Sequence, residues 1–535
     1  MDTSYPNTQL YINGKWKDAD AGETIDVINP AFENVIGKMA HARKADLDEA
    51  LSAADKAFIK WKNVNSFERY KILRKAANIL RDRSKEIARI MTIEHGKPFG
   101  ESLAEVNLSA DITDWLGEEA RRSYGRLIPS RSSEIYQMVV KEPVGPVAGF
   151  SPWNFPINQA VRKIGGAVAA GCSIIIKGPE ETPASCAELV RAYADAGVPE
   201  GVINLVYGIP SEISEYLIPH PVIRKISFTG STAVGKLLAS MAGLHMKLVT
   251  MELGGHAPAI IFDDANVDNA VQMIANNKFR NAGQVCVSPT RFLVHESLYD
   301  KFVDGFVKIS ESQVVGDGLN PDTTMGPLAH DRRLDAMEMF VSDAVDKGAK
   351  VKTGGKRKGN KGYFFEPTVL TDVSNDAKMM NEEPFGPLAP IVPFKNFDDV
   401  VEEANRLPYG LAAFAFTNSA KTAEKISSSI ESGIVSINQP WMPVVEVPFG
   451  GVKDSGYGKE LGSEGLEAYM QSKFITQKSS IWLFFIFNWI TKRLNQFIGY
   501  IDFILWWWKG SLVNIFNKFT ECFYTHFMNF RSFFS

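Results

Sequence analysis

Apolar residues occur along most of the chain in two patterns: at helical spacing, and in short continuous runs. Apolar residues at helical spacing predict amphipathic helices over residues 46–60, 70–80 and 266–280. Short apolar runs predict buried strands at 144–150, 173–177, 202–206, 225–228, 259–262, 291–294 and 433–437. Buried strands that alternate with helices imply parallel sheets with crossover helices, so we predict an α/β fold.

The composition narrows the class of protein. The chain has 535 residues, 45% of them hydrophobic, which is enough for several domains and excludes wholesale disorder. A net charge of −4 provides no basic field for a polyanion, so we expect no nucleic-acid partner. Four cysteines cannot form a disulfide framework, and the N-terminus lacks the basic and apolar regions of a secretory signal. We therefore predict a cytoplasmic protein.

The last 57 residues, 479–535, differ in composition from the rest of the chain. They contain 12 of the 34 phenylalanines and 5 of the 10 tryptophans, but no proline or alanine. Lys492 and Arg493 interrupt the apolar run that begins at Ile481–Phe487, and the second run, Leu494–Trp508, has Asn495, Gln496 and Asp502 inside it. Neither run is therefore a clean membrane span. Two interpretations stay open. The segment forms short helices that bind a membrane surface, or it is a translated tail without selected function, produced by a lost stop codon or a frameshift.

Gly230 and Ser231 stand where a predicted strand meets a predicted helix. A glycine there lets the backbone approach a phosphate, and the helix N-terminus offers free N–H groups. The string from Gly230 to Lys236 also has the spacing of the phosphate loop of nucleotide hydrolases, in which Ser or Thr must follow to hold Mg²⁺. The next residue is Leu237, which excludes a nucleoside triphosphatase.

Three other residues have side chains suited to catalysis, and each also has a simpler interpretation. Cys286 is a nucleophile if its pKa is lowered, and otherwise a small buried apolar residue. Glu252 precedes two glycines and either acts as a general base or caps a turn. Asn154 lies in a loop bracketed by prolines, where its amide either donates to an oxyanion or supports the turn.

These segments occur in the order and spacing of one family. The chain resembles the aldehyde dehydrogenase superfamily over residues 8–477, through PWNFP (152–156), KGPE (177–180), FTGS (228–231), MELGG (251–255), GQVC (283–286), EEPFGP (382–387) and PFGGVKDSGYGKELG (448–462). The resemblance implies the aldehyde dehydrogenase fold, with a Rossmann-like NAD-binding domain, an α/β catalytic domain and a small β oligomerisation arm. The implied bounds are 1–122 with 144–254 for the first, 255–466 for the second, and 123–143 with 467–478 for the arm.

The resemblance also implies a role for each catalytic candidate. Cys286 is expected to attack the aldehyde carbon, which forms a thiohemiacetal and, after hydride transfer, a thioester. The Asn154 amide and the backbone N–H of Cys286 are expected to form the oxyanion hole. Glu252 is expected to activate the water that hydrolyses the thioester.

The expected cofactor is NAD rather than NADP. By resemblance, Lys177 and Glu180 hold the adenosine ribose hydroxyls, and a carboxylate there repels the extra phosphate of NADP. The family usually has Lys-Pro-Ser/Ala-Glu at this point, whereas here a glycine shifts the proline by one position. Further residues are expected to contact the cofactor: Trp153 beside Asn154, Gly230 and Ser231 at the pyrophosphate, and Glu383 and Phe385 at the nicotinamide ribose.

The substrate indicated by resemblance is succinate semialdehyde. Arg162 and Arg280 match two arginines with which succinate-semialdehyde dehydrogenases hold the distal carboxylate, and paired guanidinium groups suit such an anion. Either arginine instead forms a structural ion pair in the alternative interpretation. Two departures from these enzymes are Pro443, where a serine is common, and Ser288, where some have a second cysteine. Another semialdehyde, or an aromatic aldehyde facing Trp153 and Trp441, stays open.

The remaining expectations concern partners and competing functions. By resemblance the arm joins subunits into a homodimer or homotetramer, and membrane contact is expected only if the tail is functional. The eight histidines lack ligand spacing, so we expect no metal site and predict that His256 is packed rather than metal-bound. A non-catalytic relative and a coenzyme A-acylating enzyme are the competing functions. The three catalytic candidates together disfavour the first, and Glu252 disfavours the second.

Overall fold

The computed structural model of the protein describes residues 4–440, 444–478 and 482–507. It divides into two compact units, one of Met1–Gly125 and Val140–Lys473, the other of Arg126–Val139 and Phe474–Ser535. All of the predicted site residues belong to the first unit.

Strands precede a group of long helices in the N-terminal part. The strands are β1 (Leu10–Ile12), β2 (Lys15–Lys17), β3 (Thr24–Asn29) and β4 (Asn34–Ala40). The helices are α1 (Lys44–Trp61), α2 (Ser66–Asp82), α3 (Ser84–His95) and α4 (Phe99–Ala120). α1 and α2 contain the two helices predicted near residues 46–60 and 70–80.

Strands and helices then alternate along the chain, as the hydrophobic pattern predicts. The elements are β5 (Arg126–Ile128), β6 (Ile135–Pro143), β7 (Val147–Phe150), α5 (Pro156–Ala170), β8 (Ile174–Lys177), α6 (Pro183–Ala196), β9 (Ile203–Val206), α7 (Pro210–Leu217), β10 (Lys225–Thr229), α8 (Thr232–Leu244) and β11 (Leu248–Glu252). Strand β7 begins three residues later than predicted, because Gly145 has φ of +126° and Pro146 has no N–H to donate.

The C-terminal half continues the alternation. Its elements are β12 (Ala257–Ile261), α9 (Val267–Phe279), β13 (Pro289–His295), α10 (Tyr299–Glu311), α11 (Asp331–Asp346), β14 (Lys350–Thr353), β15 (Thr368–Thr371), α12 (Lys378–Asn381), β16 (Leu388–Phe394), α13 (Phe397–Asn405), β17 (Ala412–Phe416), α14 (Ala420–Ser429), β18 (Ile434–Ile437), β19 (Gly456–Tyr457), α15 (Gly462–Glu467), β20 (Met470–Lys478) and α16 (Trp482–Trp507).

The first unit contains two large sheets. The first has the order β19-β11-β10-β7-β8-β9-β1-β2, and its five central strands from β11 to β9 are parallel. The second has the order β14-β15-β16-β13-β12-β17-β18 and is parallel except for β14. These parallel sheets confirm the predicted α/β fold. The domain bounds stay a prediction, although β19 extends the first sheet from within the range assigned to the catalytic domain.

Helix α5 packs so closely that every one of its residues is buried. Its small residues make this possible, because a Cβ on Gly165 would lie 2.8 Å from Leu116 and one on Gly166 would lie 2.5 Å from Tyr469. The helix starts directly after the loop that carries Trp153 and Asn154, so its tight packing fixes that loop.

The third sheet has the order β20-β6-β5 and contains residues from both segments that the sequence assigns to the arm. Its part in subunit contact stays a prediction. The described residues of the tail form one helix, α16, of 26 residues. Lys492 and Arg493 do not interrupt it because both residues have good helix propensity. No helix in the described part of the chain is long and apolar enough to cross a membrane.

Candidate active site

Cys286 follows a sharply bent segment after α9. Asn281, Ala282 and Gly283 adopt left-handed backbone conformations, with φ of +52°, +52° and +72°. A Cβ at Gly283 would lie 2.2 Å from the carbonyl oxygen of Gly386, so no larger residue fits. Left-handed conformations of non-glycine residues cost about 1–3 kcal/mol each and persist where the surroundings enforce them. The bend therefore fixes where Cys286 is presented.

Two cavities meet at Cys286. The first has a volume of ≈ 160 Å³ and the second a volume of ≈ 330 Å³. Cys286 and Gln159 line both of them. The first cavity contains Arg162 and Arg280, whereas the second contains most of the residues predicted to bind the cofactor. The thiol therefore lies where two ligands in separate cavities would meet.

The surroundings of the thiol do not favour its ionisation. Burial raises the pKa of Cys286 to about 12; Glu383 adds to the rise, whereas Arg162 opposes it. A thiol is a strong nucleophile only as the thiolate. An attack by Cys286 at neutral pH therefore needs a nearby group that takes the thiol proton.

Glu252 provides a carboxylate on the wall of the second cavity. It ends β11 and is 2% exposed, and neither of its oxygens has a hydrogen-bond partner within the described residues. Burial raises its pKa well above the ordinary value; Glu460 adds to the rise, whereas Arg162 and Lys163 oppose it. A carboxyl group with a raised pKa accepts protons at higher pH than an exposed one, as a general base near neutrality requires.

Asn154 lines the second cavity and is held by buried groups. Its side-chain Nδ2 donates to the carbonyl oxygen of Gln284 at 3.1 Å. The backbone carbonyl oxygen of Asn154 accepts hydrogen bonds from Lys97 Nζ at 2.8 Å and from Asn281 Nδ2 at 3.0 Å. Lys97 is in turn paired with buried Glu105 at 2.7 Å. These bonds connect the Asn154 loop to the bend before Cys286, so the two residues are positioned together.

The turn after β10 has the features of a phosphate site. Gly230 and Ser231 line the second cavity, and α8 begins directly after them. The N-cap residue of α8 is Ser231, and its side chain accepts no hydrogen bond from the N–H groups at the start of the helix within the described residues. Close packing of α8 continues at Gly235, where a Cβ would lie 2.1 Å from Leu253. Free N–H groups at a helix N-terminus suit a diphosphate, so these residues fit a dinucleotide.

Lys177 and Glu180 lie at the same edge of the first sheet, outside both cavity walls. Phe150 of β7 pairs with Lys177 of β8 on one side and with Phe228 of β10 on the other, so Lys177 and the phosphate turn lie at the ends of the two strands that flank β7. Lys177 and Glu180 form an ion pair. The unusual glycine between them has a packing reason, because a Cβ at Gly178 would lie 2.3 Å from the ring of Tyr207.

Glu383 and Phe385 lie on the wall of the second cavity together with Trp153. Glu383 accepts a hydrogen bond from the backbone N–H of Gly255 at 3.1 Å, and burial raises its pKa to about 7. Phe385 has φ of +48°, and its ring meets that of Trp153 edge-on at 5.6 Å. The two predicted cofactor segments therefore share one wall.

Two residues of this wall were not predicted from the sequence. His330 and Arg333, at the start of α11, line the second cavity. Arg333 donates to the carbonyl oxygens of Pro384 and Phe385, and thus holds the strained segment that carries Phe385. No motif surrounds either residue; the fold alone brings α11 to this site.

The two arginines predicted to bind substrate both line the first cavity. Arg162 is buried; its Nε donates to Asn158 at 3.0 Å, and its guanidinium lies 4.3 Å from the ring of Phe449. Its Nη1 is 3.6 Å from Glu460 Oε2, so it also takes part in the ion pair of the alternative interpretation. Arg280 has its guanidinium 5.5 Å from the ring of Phe155.

The remaining predictions concern His256, a metal site, and the residues Trp441 and Pro443. His256 is buried and packed as predicted, with ring nitrogens 2.6 Å from Thr290 Oγ1 and 3.1 Å from the carbonyl oxygen of Met379. In the portions of the chain described, no group of three or more His, Cys, Asp or Glu residues is placed to hold a metal ion. Trp441 and Pro443, which bear on substrate choice, lie outside the described residues.

Comparison with known proteins gives one consistent result. Residues 16–475 match the model of the aldehyde dehydrogenase family. The chain is 44% identical over 471 residues to a putative 4-(hydroxymethyl)benzenesulfonate dehydrogenase of Comamonas testosteroni, covering 88% of this chain and 98% of that one. It is 42% identical over 468 residues to the mitochondrial succinate-semialdehyde dehydrogenase of Oryza sativa, covering 88% and 89%. A crystal structure of an NADP-dependent enzyme of E. coli superposes with a TM-score of 0.87 at 39% identity, covering 88% and 98%.

Proposed function

The chain belongs to the aldehyde dehydrogenase family and is an oxidoreductase that acts on aldehydes, and we propose that its substrate carries an anionic group at the end opposite the aldehyde. The observation that carries this proposal is the first cavity, in which two arginines share a wall with Cys286. An aldehyde carbon at the thiol would leave its far end among guanidinium groups. Succinate semialdehyde, oxidised to succinate, is our first candidate.

Cys286 is the proposed nucleophile, and its thiol proton passes to solvent water as the sulfur attacks the aldehyde carbon. Glu252 lies on the same cavity wall with an unused carboxylate, so we assign it the role of proton acceptor for the water that hydrolyses the thioester. The Asn154 amide and the Cys286 N–H are assigned to the oxyanion, where loss of one donor typically costs about 10²–10³ in rate. The bonds from Lys97 and Asn281 to the Asn154 carbonyl keep that amide in place.

The dinucleotide, when bound, supplies the hydride acceptor. We assign its diphosphate to Gly230, Ser231 and the start of α8, and its nicotinamide ribose to Glu383 and Phe385. Trp153 forms the wall beside the ribose.

NAD is our proposed cofactor because Glu180 places a carboxylate beside Lys177, where a 2′-phosphate would be repelled. The similarity to the NADP-dependent enzyme of E. coli supports the opposite preference, for NADP. The ratio of kcat/KM for NAD and NADP, measured from absorbance of the reduced cofactor, tests this assignment. A preference for NADP would overturn it.

An aromatic aldehyde with a sulfonate is the second candidate. The first cavity has aromatic and aliphatic walls that suit a ring, formed by Leu108, Phe155, Val285, Val287 and Phe449. The relative from Comamonas, whose name specifies a benzenesulfonate, supports this candidate. Both candidate substrates have an anionic group at the end opposite the aldehyde carbon, so Arg162 and Arg280 could bind either of them.

Paired substrates test the anion directly. Succinate semialdehyde is compared with butanal, which has the same carbon chain without the carboxylate, and 4-formylbenzenesulfonate with benzaldehyde. We expect each anion to raise kcat/KM by about tenfold or more, since hydrogen bonds to charged groups contribute about 1.5–3 kcal/mol. Arg280→Gln is expected to remove most of that advantage while leaving butanal oxidation nearly unchanged. Equal rates with and without the anion would refute the proposal.

The arm suggests an assembly, and we further propose a homodimer or homotetramer joined through the β20-β6-β5 sheet. Light scattering after size exclusion measures the mass of the particle. A monomer at micromolar concentration would contradict this part of the proposal.

A further inference from the structure

Over residues 487–501, but not in the turns before and after them, helix α16 separates its apolar and polar residues onto two faces. At 3.6 residues per turn, the polar positions Asn488, Thr491, Lys492, Asn495 and Gln496 fall within an arc of about 140°. The opposite arc contains only large apolar or aromatic residues, with one exception: Phe487, Trp489, Ile490, Leu494, Phe497, Ile498, Tyr500 and Ile501. A segment translated without selection has no reason to sort its residues by face, whereas an amphipathic helix at an interface must do so.

The apolar face is exposed. Phe487, Trp489, Phe497 and Tyr500 are 72%, 62%, 68% and 73% exposed. Contiguous exposed apolar surface of this kind marks a site that another surface covers.

The exception on the apolar face has the geometry of a residue at a membrane interface. Arg493 lies within the apolar arc, and its guanidinium is 5.3 Å from the ring of Trp489. A long basic side chain can cover apolar surface with its stem while its charged end reaches the headgroups. Trp489 and Tyr500 lie on the same side of the helix, and such aromatic residues favour the boundary between headgroups and acyl chains.

The charge of the segment favours an anionic surface. Residues 479–535 contain five Lys and Arg against two Asp and Glu, whereas the rest of the chain has a net charge of −7. Two of the five basic residues, Lys492 and Arg493, lie within α16. Basic residues near the surface of an anionic leaflet add to the binding of an apolar helix face.

We propose that α16 binds the surface of a membrane with anionic lipids, lying in the plane of the interface with its apolar face inserted. A second copy of this chain is the competing occupant, and the charge argues against it because two like-charged helices would repel. The proposal is independent of which aldehyde the enzyme oxidises.

Co-sedimentation of the full chain with vesicles tests the proposal. The vesicles are phosphatidylcholine alone, or phosphatidylcholine with a quarter phosphatidylglycerol. We expect binding to the anionic vesicles that weakens as salt is raised. Replacing Lys492 and Arg493 by Gln should weaken it by about fivefold for each charge.

The decisive comparison uses matched pairs of substitutions on the two faces. Ile490→Asn with Phe497→Asn alters the centre of the apolar face and should weaken binding by about tenfold or more for each side chain. Asn488→Ser with Asn495→Ser alters the polar face and should leave binding unchanged. Rates of aldehyde oxidation, unchanged in all variants, show that each chain is folded.

Three results would overturn the proposal. The first is that the full chain does not sediment with anionic vesicles. The second is equal binding by the apolar-face and polar-face pairs. The third is self-association through α16 in the absence of lipid that added vesicles do not reverse, which would assign the face to a second copy.

Discussion

Replacing Glu252 by glutamine should stabilise the protein while it impairs turnover. The carboxylate is buried, and its oxygens have no hydrogen-bond partner among the described residues. A buried charged group without partners costs free energy that a neutral amide of the same shape largely avoids. The wild-type residue is therefore kept at the expense of stability, as the proposed role in proton transfer requires.

The dependence on pH follows from the raised pKa of Glu252. Below the ordinary glutamate pKa of 4.5, the carboxyl group is protonated in both the folded and the unfolded chain, and the variant gains little. Above it the unfolded chain releases the proton while the folded chain retains it until its higher pKa. The stability of the wild type relative to Glu252→Gln therefore falls across this interval, by about 1.4 kcal/mol per pH unit at most.

Local relaxation reduces the effect, and we expect a gain of about 1–3 kcal/mol for the variant at pH 8. Thermal unfolding at pH 4 and pH 8 measures it as a difference in Tm that grows with pH. Glu105→Gln is the matched control, because Glu105 is equally buried but accepts bonds from Lys97 and from the N–H groups of Ile157 and Asn158. This control should lower Tm at pH 8.

Steady-state turnover by Glu252→Gln should fall about 10²–10⁴-fold, the usual contribution of a general base. A burst of reduced cofactor equal to the number of active sites should remain, since formation of the thioester precedes the proposed step. The reasoning fails if Tm drops at both pH values, if the Tm difference does not depend on pH, or if the burst disappears along with turnover.

Four other substitutions test separate parts of the site. Cys286→Ser should abolish turnover but leave cofactor binding, measured by fluorescence quenching, within about twofold of wild type. Glu180→Ala should raise the NADP-to-NAD ratio of kcat/KM by about fivefold, since one unfavourable charge contact near the surface is worth about 1 kcal/mol. Gly178→Ala should lower stability by about 1–3 kcal/mol in denaturant titration, because its Cβ would overlap Tyr207. Arg333→Met should raise the cofactor Kd by roughly tenfold in calorimetry, since the Phe385 segment loses charged hydrogen bonds; an unchanged Kd would assign Arg333 to packing alone.

The sequence predicts the parts of this molecule that depend on local pattern. Period and apolar runs are enough to find α1, α2, α9 and seven of the parallel strands, because each of these elements buries a continuous apolar face. The parallel strands β11, β15, β16 and β17 are not found from the sequence. The start of β7 is misplaced because an apolar run does not show the bend at Gly145. Lys492 and Arg493 likewise interrupt an apolar run without ending a helix.

The site is predictable only where motifs carry it. Cys286, Glu252 and Asn154 are found from short segments whose order is characteristic, and the structure brings all three to one cavity. Arg333 and His330 are not found, since their place on that wall results from how α11 packs and not from adjacent residues. The ion pair of Arg162 with Glu460 joins residues almost 300 positions apart, beyond the reach of any local pattern.

The position of Cys286 on two cavities has a consequence for the order of events during turnover. A ligand can leave the larger cavity while a group bound to the sulfur still fills the smaller one. Exchange of spent cofactor thus need not wait for release of the acid, and a compound that occupies only one cavity should not compete with the ligand of the other. Inhibitors of this enzyme should therefore divide into two kinetically distinct classes that bind at the same time.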